Sequence, residues 1–232
     1  MDATKLRRVA VIGASAGYFL AGAGVNEAKI LAREVLARGG ARQSRALQRA
    51  LAVAQAGSEN FAAAENIIAQ AAQRERAALA SIATLVKEDR NLQAVLDQFG
   101  KNVDSREREG QEGLRAFILP STSASLPDTF KNIIPQRNPN VIGNLDVYYY
   151  DYLSDHLKDS PGDLARLVEL PNGGTLAYET LNLVDGKRSV REIREVLSAA
   201  YGIVPTEAVL DYLKLLEKIG IIVFINESKQ ND

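Results

Sequence analysis

Apolar residues recur at helical spacing over most of this chain, most clearly near its C-terminal end. Leu176 to Val184 reads as a helix stopped by Asp185-Gly186, a pair suited to a tight turn. Ser189 can cap a second helix, with Glu192 three residues on completing a capping box. Val190, Ile193, Val196 and Leu197 fall on one face of that helix, and Tyr201-Gly202 closes it. Pro205 and Thr206 open a third helix with a stripe of Val209, Leu210, Leu213, Leu216 and Ile219. Gly220 stops it, and Ile221 to Ile225 reads as a short buried strand. Helix, helix, helix and strand in this order predict a small winged-helix-like α+β domain.

Residues 4 to about 118 are Ala-rich, poor in aromatics and almost free of proline, which favours helix. Ser58 caps a long segment in which Phe61, Ala64, Ile68, Ala71, Ala78, Ile82 and Leu85 repeat at three- and four-residue steps. Glu75 falls on the same seam and interrupts it. Ile30, Leu31, Val35 and Leu36 predict one short helix ending at Gly39-Gly40, and Leu47, Ala50, Leu51 and Ala54 another ending at Gly57. A further helix runs from Leu92 through Val95, Leu96 and Phe99 into the charged stretch Lys101 to Glu112. These segments predict an antiparallel helical bundle whose small Ala faces allow close approach.

Leu119 to Asn144 carries Pro120, Pro127, Pro135 and Pro139 among Ser, Thr and Asn, and predicts an extended connector poor in regular structure. Asn144 can cap a helix from Leu145 to Lys158 that holds Tyr148, Tyr149, Tyr150 and Tyr152, and Asp159-Ser160-Pro161-Gly162 ends it. Arg166 to Leu170 reads as a short strand, and Pro171 to Gly174 as a turn. The expected fold class is mainly α. A helical bundle spans 1–118, a Pro-rich linker 119–144, and a winged-helix-like domain with its preceding Tyr-rich helix 145–232.

The 232 residues suffice for one large domain or two small ones. Cysteine is absent, which excludes disulfides, thiolate metal sites and a cysteine nucleophile, and the single histidine, His156, excludes zinc sites built on two or three imidazoles of one chain. No stretch has the dense, regularly spaced acids of a calcium loop. Residues 1–118 hold 17 Lys+Arg against 13 Asp+Glu (+4), residues 119–232 hold 11 against 16 (−5), and the sum is the formal −1. Neither half carries the basic footprint of a nucleic-acid binder. The third helix, the one that would enter a major groove, carries Glu207, Asp211 and Glu217 against Lys214 and Lys218, so DNA binding is not expected.

Two N-terminal signals have competing readings. Arg8 to Ile12 followed by Gly13-Ala14-Ser15-Ala16-Gly17 matches the strand and G-x-S-x-G turn of a hydrolase nucleophile elbow, with Ser15 as nucleophile and His156 as base. Only a few residues precede it and no later strand–helix alternation supplies the sheet, so a small-residue helix face is the preferred reading. Lys5, Arg7 and Arg8 ahead of the uncharged run Val9 to Val25 also imitate a signal or anchor, but the run is short and Gly-rich for a membrane span. A packed amphipathic or buried helix is expected there, and no membrane span. His156, beside Asp155, is expected at a surface or cap rather than as a catalytic base.

The run "LNLVDGKRSVREIREVLSAAYG" followed by "VPTEAVLDYLKLLEKIGII" resembles PqqD-like winged-helix modules, which implies peptide holding against a strand and a helix. The opening "LRRVAVIGASAGYFLAGAG", with "AREVLARGG", "RERAALASIATLV" and "GGTLAYETLNLVDGKRSVREI", resembles the C-terminal region of large bacterial zinc-dependent exopeptidases of the aminopeptidase type. That resemblance implies a non-catalytic accessory part lacking the enzyme domain, cytoplasmic or exported with its parent, with no catalytic, cofactor or metal residue of its own. The expected partner is a protein or peptide, either a peptidase catalytic domain or a second copy. Candidate contacts are Tyr148, Tyr149, Tyr152, Lys187, Arg188 and Arg191, with core or interdomain packing the preferred reading of the tyrosines and a solvated helix face an adequate one of the basic group. The alternative is a free-standing PqqD-like peptide- or protein-binding adaptor.

Overall fold

The structure, a computed structural model, describes residues 3–86, 88–117, 130–141 and 166–226. The chain divides into two compact units, Met1–Ser121 and Thr122–Asp232. It is mainly helical, with one two-stranded antiparallel sheet.

In the first unit, α1 (Ala3–Ala21) is followed by α2 (Val25–Gln55), α3 (Phe61–Ile82) and α4 (Arg90–Phe117). The last three pack on one another as a bundle. Cross-links between Arg76 and Asp104 and between Glu65 and Arg115 make α3 and α4 antiparallel, since one number rises as the other falls. The amide of Gln43 donates to the Val103 carbonyl at 3.2 Å, placing the middle of α2 beside α4. The face that α2 buries is almost entirely small: Ala28, Ala32, Gly39, Ala46, Ala50 and Ala54. Bulk comes from Phe61, Ile67, Ile68, Leu79 and Ile82 of α3 and from Leu92, Leu96, Val103 and Leu114 of α4. Ala-lined faces let the backbones approach closely, as the composition implies.

Two expectations fail in this unit. The two short helices before Gly57 are a single 31-residue helix, α2, that runs through Gly39 and Gly40. Gly39 does not break it because the position is buried against α3 and has no room for a side chain: a Cβ there would lie 2.6 Å from Glu75 Oε2. Packing thereby overrides the propensity cost of glycine. The segment Val9 to Ala21 is helical as expected but is not packed, and every described side chain of α1 is exposed.

The second unit contains β1 (Ile133–Arg137), α5 (Arg166–Glu169), α6 (Gly173–Leu183), α7 (Val190–Tyr201), α8 (Thr206–Lys218) and β2 (Ile222–Asn226). Its core joins Leu167, Leu176, Leu181, Val190, Ile193, Leu197, Val209, Tyr212, Leu213, Leu216 and Ile222. The capping box is present: Glu192 N–H donates to Ser189 Oγ at 3.3 Å, and Ser189 N–H donates to Glu192 Oε2 at 2.8 Å. Gly202 and Gly220 take positive φ at the helix ends, where glycine is least strained.

Here too the structure corrects the sequence. Arg166–Glu169 is a helical turn, not a strand, because Leu167 and Leu170 lie three apart and both reach the same core. Within the connector 119–144, expected to be extended and poor in regular structure, Ile133–Arg137 is a strand that pairs with β2, which the sequence did not announce. The register sets Ile134 opposite Ile225, Pro135 opposite Phe224 and Gln136 opposite Val223. The C-terminal strand is less buried than expected: Ile221 and Ile222 are buried, Phe224 and Ile225 are half-buried, and Val223 is exposed. The expected Tyr-rich helix 145–158 lies outside the described residues.

Candidate interaction surfaces

Two catalytic arrangements can be checked against the described residues: the nucleophile elbow and a metal cluster. Arg8–Ile12 is helical rather than a strand, and Ser15 sits mid-way along α1, so the strand–turn–helix of a nucleophile elbow is not formed. Among the described residues no three His, Asp or Glu side chains converge as a metal site. A cleft of about 410 Å³ lies between α3 and α4, beside Leu79, Leu96 and Gly100. On its rim Arg76 donates to Asp104 at 2.8 Å and also to Glu107. No described helix is long and apolar enough to cross a membrane.

The one buried charged side chain among the described residues of the bundle is committed internally. Glu75 is 1% exposed and accepts from Arg42 Nε at 2.7 Å and Arg42 Nη2 at 2.6 Å. That forked hydrogen bond to Glu75 holds the Arg42 guanidinium above its ordinary pKa. The carboxylate that seemed to interrupt the apolar seam is therefore an ion pair occupying the space Gly39 leaves.

In the second unit, the Asp185-Gly186 turn is the centre of a set of ties. Asp185 Oδ1 accepts from the amides of Lys187 at 3.0 Å and Arg188 at 2.9 Å, and Oδ2 accepts from Arg188 Nη1 at 2.7 Å. Burial pushes the Asp185 carboxyl up, but these amides and the neighbouring guanidinium outweigh it and hold the pKa below its ordinary value. Gly186, at φ +74°, donates its N–H to the Pro135 carbonyl at 3.2 Å and so fastens β1 to the turn. Arg137 donates to the Leu181 carbonyl at 2.8 Å, and Asn138 donates its side-chain amide to the Gly220 carbonyl at 2.8 Å.

These ties orient the sheet. Pro135 has no N–H and its carbonyl goes to Gly186, so its backbone faces away from β2. Antiparallel pairing alternates, so Phe224 opposite it, and Ile222 two residues earlier, turn their N–H and C=O groups away from β1. The sheet has no third strand among the described residues. The outer side of β2 is thus an edge with backbone donors and acceptors, next to the exposed Val223.

Of the contacts expected from sequence, Lys187, Arg188 and Arg191 come together across the turn and the first turn of α7. Lys187 is exposed, Arg188 is paired with Asp185, and Arg191 is paired with Glu195 at 2.9 Å. Arg194, further along α7, is half-buried and donates to the Val204 carbonyl at 2.8 Å, and burial lowers its pKa. Tyr148, Tyr149, Tyr152 and His156 lie outside the described residues. Sequence reasoning missed β1 and its anchors Arg137 and Asn138. The adjacent pair Ile133-Ile134 was the available signal, masked by the prolines around it.

No protein-family model, no curated protein and no solved structure matches the chain.

Proposed function

We propose that this chain is a non-catalytic interaction module whose second unit is winged-helix-like and holds an extended protein or peptide segment along β2. The outward-facing backbone groups of Ile222 and Phe224 support this reading. An added strand would satisfy them, and the buried Ile221-Ile222 pair and the ties to Arg137, Asn138 and Gly186 keep the edge rigid. The chain needs no cofactor for such a role. In the preferred form of the proposal it is the C-terminal part of an aminopeptidase-type zinc peptidase, and the segment belongs to the catalytic domain or to a second copy. In the alternative it is a free-standing PqqD-like adaptor, which the open β2 edge also favours. An immunoblot of the source cells and medium separates the two. A band far above 25.2 kDa is expected for the accessory part, and a band near that mass overturns it in favour of the adaptor.

A further inference from the structure

Among the described residues no element covers the α1 helix, whose described side chains are all exposed. Val9, Val11, Ile12, Tyr18, Phe19 and Leu20 are between 41% and 85% exposed. Successive residues turn by about 100°, which sets Val9 and Val11 on nearly opposite sides and Ile12 and Phe19 between them. The helix is therefore apolar on every side beyond Arg8, with Ser15 its one polar side chain from Val9 to Phe19 apart from the Tyr18 hydroxyl. A protein groove takes one stripe of a helix, whereas hydrocarbon takes all of them. A methyl group added at Gly13 or Gly17 would meet nothing within 4 Å, so the small-residue side is equally open.

Charge decides which apolar phase fits. Lys5, Arg7 and Arg8 are exposed in the first turns, and α1 contains no acid from Ala3 to Ala21. Three cations at one end of an apolar rod complement lipid phosphates, and long basic side chains reach them while their stems stay among acyl chains. The apolar part, Val9 to Ala21, is about 20 Å long at ~1.5 Å per residue, against about 30 Å of bilayer hydrocarbon. That length suits shallow insertion into one leaflet, since α2 with Glu27 begins only four residues after Ala21, and agrees with the absence of a described helix able to cross.

We propose that α1 is a membrane-surface anchor that inserts Val9–Ala21 into a bilayer containing anionic lipid while Lys5, Arg7 and Arg8 engage the headgroups. This is independent of the reading given to β2. The 232 residues contain no tryptophan, so Tyr18→Trp provides a single fluorescent reporter on the helix. The full chain carrying it should float with mixed phosphatidylglycerol–phosphatidylcholine vesicles, and its emission should shift to the blue. Replacing Lys5, Arg7 and Arg8 together by Gln should weaken that binding about a hundredfold. The pair Val11→Asp and Ile12→Asp should abolish it, with circular dichroism unchanged because both positions are already exposed. Absence of flotation and of any emission shift would overturn the proposal, as would equal binding to pure phosphatidylcholine vesicles. A lipid-independent oligomer, seen in sedimentation equilibrium and lost with the Asp variants, would instead assign α1 to a second copy.

Discussion

Gly39→Ala is a substitution whose sign the packing should reverse. In an exposed helix interior, alanine for glycine gains about 0.5–1 kcal/mol. At Gly39 the new Cβ would lie 2.6 Å from Oε2, 3.0 Å from Cδ and 3.3 Å from Cγ of Glu75. The carboxylate would have to move by about an ångström to reach ordinary contact. Glu75 is held on its other side by two bonds from Arg42, at 2.7 and 2.6 Å, and at 1% exposure it has no solvent to receive it. Losing one charge-assisted bond costs about 1.5–3 kcal/mol, so the net expectation is a loss of about 1–2 kcal/mol. Urea unfolding followed by far-UV circular dichroism would show a midpoint about 0.5–1 M lower for a slope of about 1–3 kcal/mol per molar. Gly100→Ala on α4 is the control, because its methyl meets nothing within 4 Å. It should gain the usual fraction of a kcal/mol. In a Glu75→Ala background Gly39→Ala should gain as well. A Gly39→Ala variant as stable as Gly100→Ala would refute the reasoning.

Arg42→Ala leaves the Glu75 carboxylate buried without its partner and should cost about 2–3 kcal/mol in the same assay. That is below the usual penalty, because Arg42 is 35% exposed and water can enter. Arg42→Met with Glu75→Leu should recover most of the loss, and failure to do so would show that the pair is worth more than its desolvation. Asp185→Ala should destabilise the second unit by about 1 kcal/mol at neutral pH. The Asp185 pKa is lowered on folding, so its contribution is complete above the unfolded value and fades as pH falls through the folded value. The difference between wild type and variant should therefore vanish in acid, and a difference that grows in acid would contradict the assignment. Ser15→Ala should leave stability within about 0.5 kcal/mol. A fluorophosphonate probe should not label Ser15, and selective labelling there would revive a hydrolase.

Local chemistry makes the second unit partly readable from its sequence. Ser189 and Glu192 form the capping box their spacing announces, and the stripe from Val209 to Leu216 lies in the core. What was illegible depends on distant partners. β1 contains Pro135, which the ladder tolerates because its missing N–H falls on the side away from β2, where its carbonyl meets Gly186, fifty-one residues further along the chain. Its pairing with β2 spans most of the unit, and no short window records it. Gly39-Gly40 reads as a break in sequence, yet α2 continues because Glu75 occupies the space beside Gly39. The α1 helix is legible as a helix, but apolar composition alone does not reveal that no described element covers it.

The claim that the chain binds rather than catalyses is tested most directly by its turnover of aminoacyl p-nitroanilides, measured on the purified full chain with and without added zinc. The account predicts no release above the buffer rate under either condition. Zinc-dependent release that scales with protein concentration and is lost with a chelator would contradict it.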